Sequence, residues 1–284
     1  MYKKNKSLIK IHAAVFMFGL AGLFGKSLSY PPMIIVLGRV FFSSIFILVI
    51  MLYLKKDIKL KSRKDYTYLI IMGIILAVHW STFFKSIQIS TVAIGLITFS
   101  TFPVFVTFLE PCFLKEKIQF KDVLTAFITF IGVVLVVPKF QLSNNITLGA
   151  LWGIASGITY AILSILNRKY VKEYNSLVIA FYEQLSATIV LLPFLFFQRQ
   201  SFMIKDILLL ILLGTVFTGI AHSLFISGLK DVKTQTAGII SSLEPVYGII
   251  FAAVLLREIP SFREILGGII ILGTVFYSTV KSNK

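Results

Sequence analysis

The sequence has little charge. Asp, Glu, Lys and Arg make up 14% of its 284 residues, where a soluble domain carries about 25%. With 57% apolar residues, this composition excludes an ordinary soluble chain. Cysteine occurs once, at Cys112, which excludes an internal disulfide and a thiolate metal cluster. His79 and His222 have no third ligand at metal spacing, so no metal and no other cofactor is expected. No Gly-x-x-x-x-Gly-Lys-Ser/Thr loop is present, which argues against an ATP-driven pump. No nucleophile–base pair stands out, so the chain does not read as an enzyme. No ring of charge or carbonyl-rich filter points to a channel.

What fills the sequence instead is a series of long apolar runs, at 8–27, 31–54, 66–87, 91–114, 120–138, 146–168, 175–197, 206–229, 233–256 and 263–280. Runs of this length cross a bilayer as helices, because a helix satisfies its own backbone inside lipid. The predicted fold is an all-α membrane protein of ten transmembrane helices. The first run is followed by nine more, so it reads as a span and not as a cleaved leader. The net charge of +16 does not point to nucleic acid, because Lys and Arg lie between the spans. They crowd alternate loops, as at Lys55, Lys56, Lys59, Lys61, Arg63 and Lys64. This bias places both termini on the cytoplasmic side of the inner membrane.

One fixed offset lays the second half on the first. Pro103 falls on Pro245, Leu114 on Leu256, Glu116 on Glu258, Phe120 on Phe262 and Asp122 on Glu264. The two units are residues 1–138 and 146–284, joined by a linker at Lys139–Asn145. A repeat with an odd number of spans puts its copies in opposite orientations. The expected site for a small-molecule substrate is then the interface between two inverted five-helix repeats. Gly132, Gly267, Gly268 and Gly273 mark the fifth and tenth helices as close-packing elements. They are also candidate contacts of a homodimer.

The two proline-bearing segments carry a family resemblance. The fourth span reads Ser100-Thr101-Phe102-Pro103-Val104-Phe105, then Glu110-Pro111 and Leu114-Lys115-Glu116. The ninth reads Ser241-Ser242-Leu243-Glu244-Pro245-Val246-Tyr247, then Leu256-Arg257-Glu258. Together with His79–Gln88 ahead of Ser90-Thr91-Val92-Ala93, they resemble the EamA-type branch of the drug/metabolite transporter superfamily, over nearly the whole chain. The resemblance implies a ten-helix fold with a cavity lined mainly by the first, third, fourth, sixth, eighth and ninth helices. It also implies secondary transport of small metabolites, often export of amino acids or related compounds.

Polar residues at membrane depth are the candidate site. Glu244 precedes Pro245 near the middle of the ninth span and suits a proton or cation. His79 and His222 lie mid-span in near-equivalent positions of the repeat. Trp80 sits mid-span and not in an interfacial belt. Thr101, Tyr160 and Ser241 complete the expected substrate-binding set. The hydroxyls near the prolines are equally suited to satisfying freed backbone. Arg39 and Glu183 are each either a substrate contact, for a carboxylate and an amine respectively, or a structural charge. Lys85 reads as a snorkelling anchor, and Glu110 as the partner of Lys115 or Lys117. Proton coupling through Glu244 or a histidine is one expected mechanism. An uncoupled exchanger for anionic or nucleotide-linked metabolites is the alternative.

Overall fold

Prolines and polar caps decide where the apolar runs become helices. The computed structural model describes residues 2–114, 120–137, 141, 143–197 and 201–282. Lys115, Lys117, Glu116, Pro138 and part of the Lys139–Asn145 linker lie outside them. In the first half the helices are α1 (Tyr2–Ala21), α2 (Phe24–Ser27), α3 (Pro32–Tyr53), α4 (Arg63–Ile89), α5 (Val92–Phe99), α6 (Phe102–Leu114) and α7 (Phe120–Val136). In the second they are α8 (Asn145–Tyr170), α9 (Ser176–Leu191), α10 (Ile204–Gly214), α11 (Ala221–Gly228), α12 (Thr234–Ser241), α13 (Glu244–Phe251) and α14 (Phe262–Ser282). Pro32 opens α3, where a missing N–H costs nothing. Ser62, Thr91, Asn144 and Asn175 each cap the helix that follows with a side-chain oxygen, a contact worth about 1 kcal/mol.

Among the described residues, seven helical runs are long and apolar enough to cross a membrane. They are Asn5–Ser27, Pro32–Tyr53, Arg63–Ile89, Val92–Pro111, Asn145–Tyr170, Ser176–Phe197 and Ile204–Gly228. Val123–Val136 and Glu244–Leu256 are shorter apolar helices. The chain is therefore a multi-pass membrane protein. Several runs are interrupted. Wider π turns replace α geometry at Thr215–Ile220 and Ala252–Leu256. The breaks at Ser100–Thr101 and at Ser242–Leu243 both precede a proline, and Pro103 and Pro245 each sit in the first turn of the helix that restarts.

The breaks are satisfied internally. Ser100 donates to the Leu96 carbonyl at 2.8 Å, Thr101 to Thr98 at 2.8 Å and Ser242 to Gly238 at 3.1 Å. Around them the helices pair in a pattern that the repeat maps onto itself. Contact of α4 with α8 has its counterpart in α1 with α11. Contact of α5 with α8 has its counterpart in α1 with α13. The α3–α9, α5–α13 and α7–α14 contacts each join equivalent spans of the two halves.

Small residues allow the closest of these approaches. A Cβ on Gly73 would lie 2.5 Å from the Glu183 carbonyl of α9. On α8, added Cβ atoms at Gly149 and Gly153 would lie 2.3 Å from Ser90 Oγ and 1.9 Å from Thr98 Oγ1. Gly132 and Gly267 serve the α7–α14 seam: a Cβ on Gly267 would meet the Gly132 carbonyl at 2.7 Å. These two glycines are thus used within the chain and not between copies. Gly273 faces open space. The expected consequence is a contrast in thermal unfolding in detergent. Gly73→Val loses about 1–3 kcal/mol by overpacking against backbone, whereas Gly273→Ala holds or gains stability.

Candidate functional site

The helices converge on a small cavity at the centre of the bundle. It is lined by Phe18 and Ala21 of α1, Arg39 of α3, and His79, Trp80 and Phe83 of α4. Phe99 of α5, Tyr160 of α8, His222 of α11 and Glu244 at the head of α13 close it. Its free volume of about 20 Å³ holds about one water. A larger molecule enters only if the helices separate.

Each polar wall residue is held by a neighbour. Arg39, 1% exposed, lies over the Trp80 ring at 3.8 Å. Its Nε donates to Thr218 Oγ1 at 2.9 Å. Thr218 lies in the π turn and passes its own proton to the Leu213 carbonyl at 2.7 Å. This irregular turn and the buried guanidinium therefore support one another. Arg39 and Glu244 attract each other across the cavity. Among the described residues neither belongs to a direct ion pair. The two therefore act on each other across the cavity without touching.

The histidines differ. His79 Nδ1 lies 3.0 Å from the Ser156 carbonyl and 2.8 Å from Ser156 Oγ. It donates to the carbonyl in one tautomer and accepts from the hydroxyl in the other. Ser156 Oγ returns a bond to the His79 carbonyl at 3.1 Å, and Tyr160 stacks on the imidazole at 4.8 Å. His222 instead places Nε2 at 2.7 Å from Glu183 Oε2, both residues being buried. Its ring also meets the edge of Trp80 at 5.6 Å. Glu183 stands behind the cavity wall and reaches the cavity through His222.

Of the residues singled out in the sequence, Arg39, His79, Trp80, Tyr160, His222 and Glu244 come together here. Thr101 does not: its hydroxyl is spent on the Thr98 carbonyl, and it borders a separate apolar cavity of about 430 Å³ against α7 and α8. Ser241 is buried, but it is not among the residues lining the central cavity. Sequence reading passed over Ser156, Thr218 and Phe99. The signal for Ser156 was available, since Gly149, Gly153 and Gly157 form a stripe that brings its helix close.

Both ends of the bundle are tied shut. At one end Glu258 Oε1 accepts from the Val92 N–H at the start of α5, and Glu264 accepts from Thr91 at 2.9 Å. Lys26 donates to the Ser90 carbonyl at 2.6 Å, and Tyr30 to Asp206 at 2.9 Å. At the Lys-rich end Ser7 donates to Asp231 at 2.7 Å and Lys10 to Ser227 at 2.7 Å. Glu110 pairs there with Arg168 of α8, while its expected partners Lys115 and Lys117 lie outside the described residues. Tyr174 donates to Asp65 at 2.6 Å, and burial together with that bond raises its phenol above the ordinary value. Lys85 is exposed.

Apolar helices around an occluded polar centre, with ties at both ends, define a membrane transporter and not an enzyme. The comparisons with known proteins narrow the class. The EamA-like transporter family matches residues 5–137 and again 147–280, and the chain belongs to that family. A Bacillus subtilis protein named as the uncharacterized transporter YxxF is 24% identical, over 98% of this chain and 91% of that protein. An S-adenosylmethionine uptake transporter of Rickettsia conorii is 25% identical, over 87% and 82% of the two chains. A solved crystal structure superposes with a TM-score of 0.72 at 17% identity, over 98% of each chain, and shares the fold.

The Arg39–Trp80 stack makes a stability prediction. Arg39→Gln removes a desolvated cation–π contact and leaves Glu244 unanswered. Thermal unfolding should register a loss of about 2 kcal/mol or more. Lys85→Gln, at an exposed position, should stay within about 0.5 kcal/mol of wild type.

Proposed function

We propose that the chain is a secondary transporter of amino acids or related metabolites, working by alternating access across the cytoplasmic membrane. The observation that carries this reading is the central cavity with a guanidinium and a carboxylate on its walls and aromatic rings between them. Arg39 suits a substrate carboxylate through its planar fork, and Glu244 suits the ammonium. Trp80, His222 and Tyr160 supply faces for a ring or a cation. Thr101 and Ser241 fall outside this binding set.

In this reading the membrane is crossed ten times by two inverted five-helix repeats, residues 1–138 and 146–284, with both termini cytoplasmic. The support is the self-mapping contact pattern of the helices and the crowding of Lys and Arg at one end. The ties at the two ends break in alternation as the halves rock about the central cavity. The cavity is contracted here, so binding and opening are one event. Protons are a second cargo, carried by Glu244 or a histidine. A homodimer through the fifth and tenth helices uses their exposed outer faces, around Phe127 and Ile269.

The named substrate of the Rickettsia relative has an amino-acid head group, which agrees with the Arg39–Glu244 arrangement. Its nucleoside part favours a second reading, uncoupled exchange of nucleotide-linked metabolites. The family resemblance favours export, and the relative's name favours uptake.

Thermal unfolding against amino acids, amines, carboxylates, nucleotides and S-adenosylmethionine tests the substrate class. A ligand at 100 times its Kd stabilises the folded state by about 2.7 kcal/mol. The expected result is a selective upward shift with a compound bearing both amine and carboxylate, lost in Glu244→Gln and in Trp80→Ala. A shift confined to anions lacking an amine rejects the zwitterion reading. Flux of the same compound into and out of proteoliposomes then gives the direction, and counterflow without any gradient separates exchange from coupled transport.

A further inference from the structure

Behind the central cavity lies a second polar centre that the substrate reading leaves unused. Glu183 is 0% exposed and His222 1%, and they meet at 2.7 Å. Glu183 Oε1 has no hydrogen-bond partner among the described residues, and neither do Gln184 Oε1 and Nε2, Ser43 Oγ and Ser223 Oγ. Buried polar atoms are nearly always satisfied. Several orphans on the facing helices α3, α9 and α11 mark a place for water.

A cavity lies beside this place on the side of the Lys-rich end. It has about 360 Å³ between α3, α9 and α11, and in a mainly apolar wall it presents Ser176, Ser223 and Ser227. It follows α11 inward from Ser227 to Ser223 and on to Gly219 in the π turn, about 12 Å at the helical rise. Ser223 neighbours His222 in sequence. A Cβ on Gly219 would come within 3.0 Å of Ser43 Oγ, so the bare backbone there lets α3 approach closely.

Charge gives this centre a task. The ionisable groups facing it are Arg39 from α3, His79 from α4, Tyr160 from α8 and Glu244 from α13. From α1, Lys10 faces only the far end of α11, at Ser227. Arg39 answers Glu244, which leaves the Glu183 carboxylate uncompensated unless His222 carries a proton. An unanswered charge at membrane depth costs several kcal/mol. A proton on the pair makes the whole cluster neutral.

We propose that Glu183 and His222 form a proton-binding site that shares His222 with the wall of the substrate cavity and exchanges its proton with the Lys-rich end on the side of the Ser223–Ser227 cavity. A substrate that carries a further cationic group beside its amine and carboxylate brings a net positive charge into the neutral cluster. The proton then leaves His222 for water in the side cavity, and the charge balance is restored. His222 touches Trp80 on one side and Glu183 on the other, so it joins the two sites. This assignment rests on the central cavity being the substrate site and names the proton carrier within that reading.

The chain has three histidines, which makes nitrogen-15 histidine NMR of the full-length protein in detergent practical. In a His12→Asn background, which removes the exposed third ring, the expected result is one change of protonation at a ring across the pH range in which the protein stays folded. It disappears in His222→Asn, and its midpoint is displaced by about one pH unit or more in Glu183→Gln. Trp80 fluorescence follows the same curve in a Trp152→Phe background, which needs no change at the pair itself. A His222 ring in one protonation state throughout, or a midpoint unmoved by Glu183→Gln, overturns the proposal. A fluorescence change lost in Glu244→Gln but kept in Glu183→Gln moves the proton site to Glu244 and overturns it as well. The stability shift with S-adenosylmethionine reads the central cavity alone. Its absence beside a titrating His222 rejects that compound as substrate, and its presence beside an inert His222 rejects the proton site.

Discussion

Nothing in the middle of a bilayer can hand a hydrogen bond to water, and the architecture follows from that constraint. The centre of this protein contains broken helices, π turns and several ionised side chains, each an expense in hydrocarbon. Several of them are answered by a neighbour. Ser100, Thr101 and Ser242 turn their hydroxyls back onto carbonyls of the turn before each break. Thr218 stands between an irregular turn and the buried guanidinium of Arg39. These answers are short-range, so the helices must come close. The glycines at 73, 149 and 153 permit it. The polar centre and the small-residue contacts are two sides of one requirement.

Much of this was legible in the sequence. Length and apolarity located the helices, because lipid imposes a minimum run that few soluble segments meet. The fixed offset between Pro103 and Pro245 located the two breaks, since proline fits best in the first turn of a helix that begins again. Ionisable residues at depth pointed to the centre, and Arg39, His79, His222 and Glu244 do meet there. Thr101 and Ser241 were harder. A hydroxyl beside a proline has two competing uses, and period alone cannot tell whether it turns to its own carbonyl or to a cavity. Ser156 and Thr218 were missed because their partners, His79 and Arg39, lie far away in sequence. Only the packing of α8 on α4, and of the π turn on α3, reveals them.

The ties at the two ends give the closed form its meaning. Glu258, on the exit of α13, accepts from the first N–H of α5. A carboxylate at a helix N-terminus is favoured by unsatisfied donors and by the helix dipole. The Leu-x-Glu pattern in the ninth span therefore has a physical use: it joins the end of one half to a helix start in the other. Arg168 and Glu110 make the comparable connection at the Lys-rich end between α8 and α6.

One departure from the repeat has a further consequence. Where the second half carries Glu244, the first carries Phe102, which packs on Phe99 at 5.3 Å and on Tyr160 at 4.9 Å. An assembly of two identical half-length chains would have to place the same residue on both walls. Two carboxylates would then repel each other across the centre, or two phenylalanines would leave it without an anion. Fusion of the copies into one polypeptide lifted that restriction. It gave the pocket a head and a tail, so that a bound molecule lies in one orientation instead of two equivalent ones.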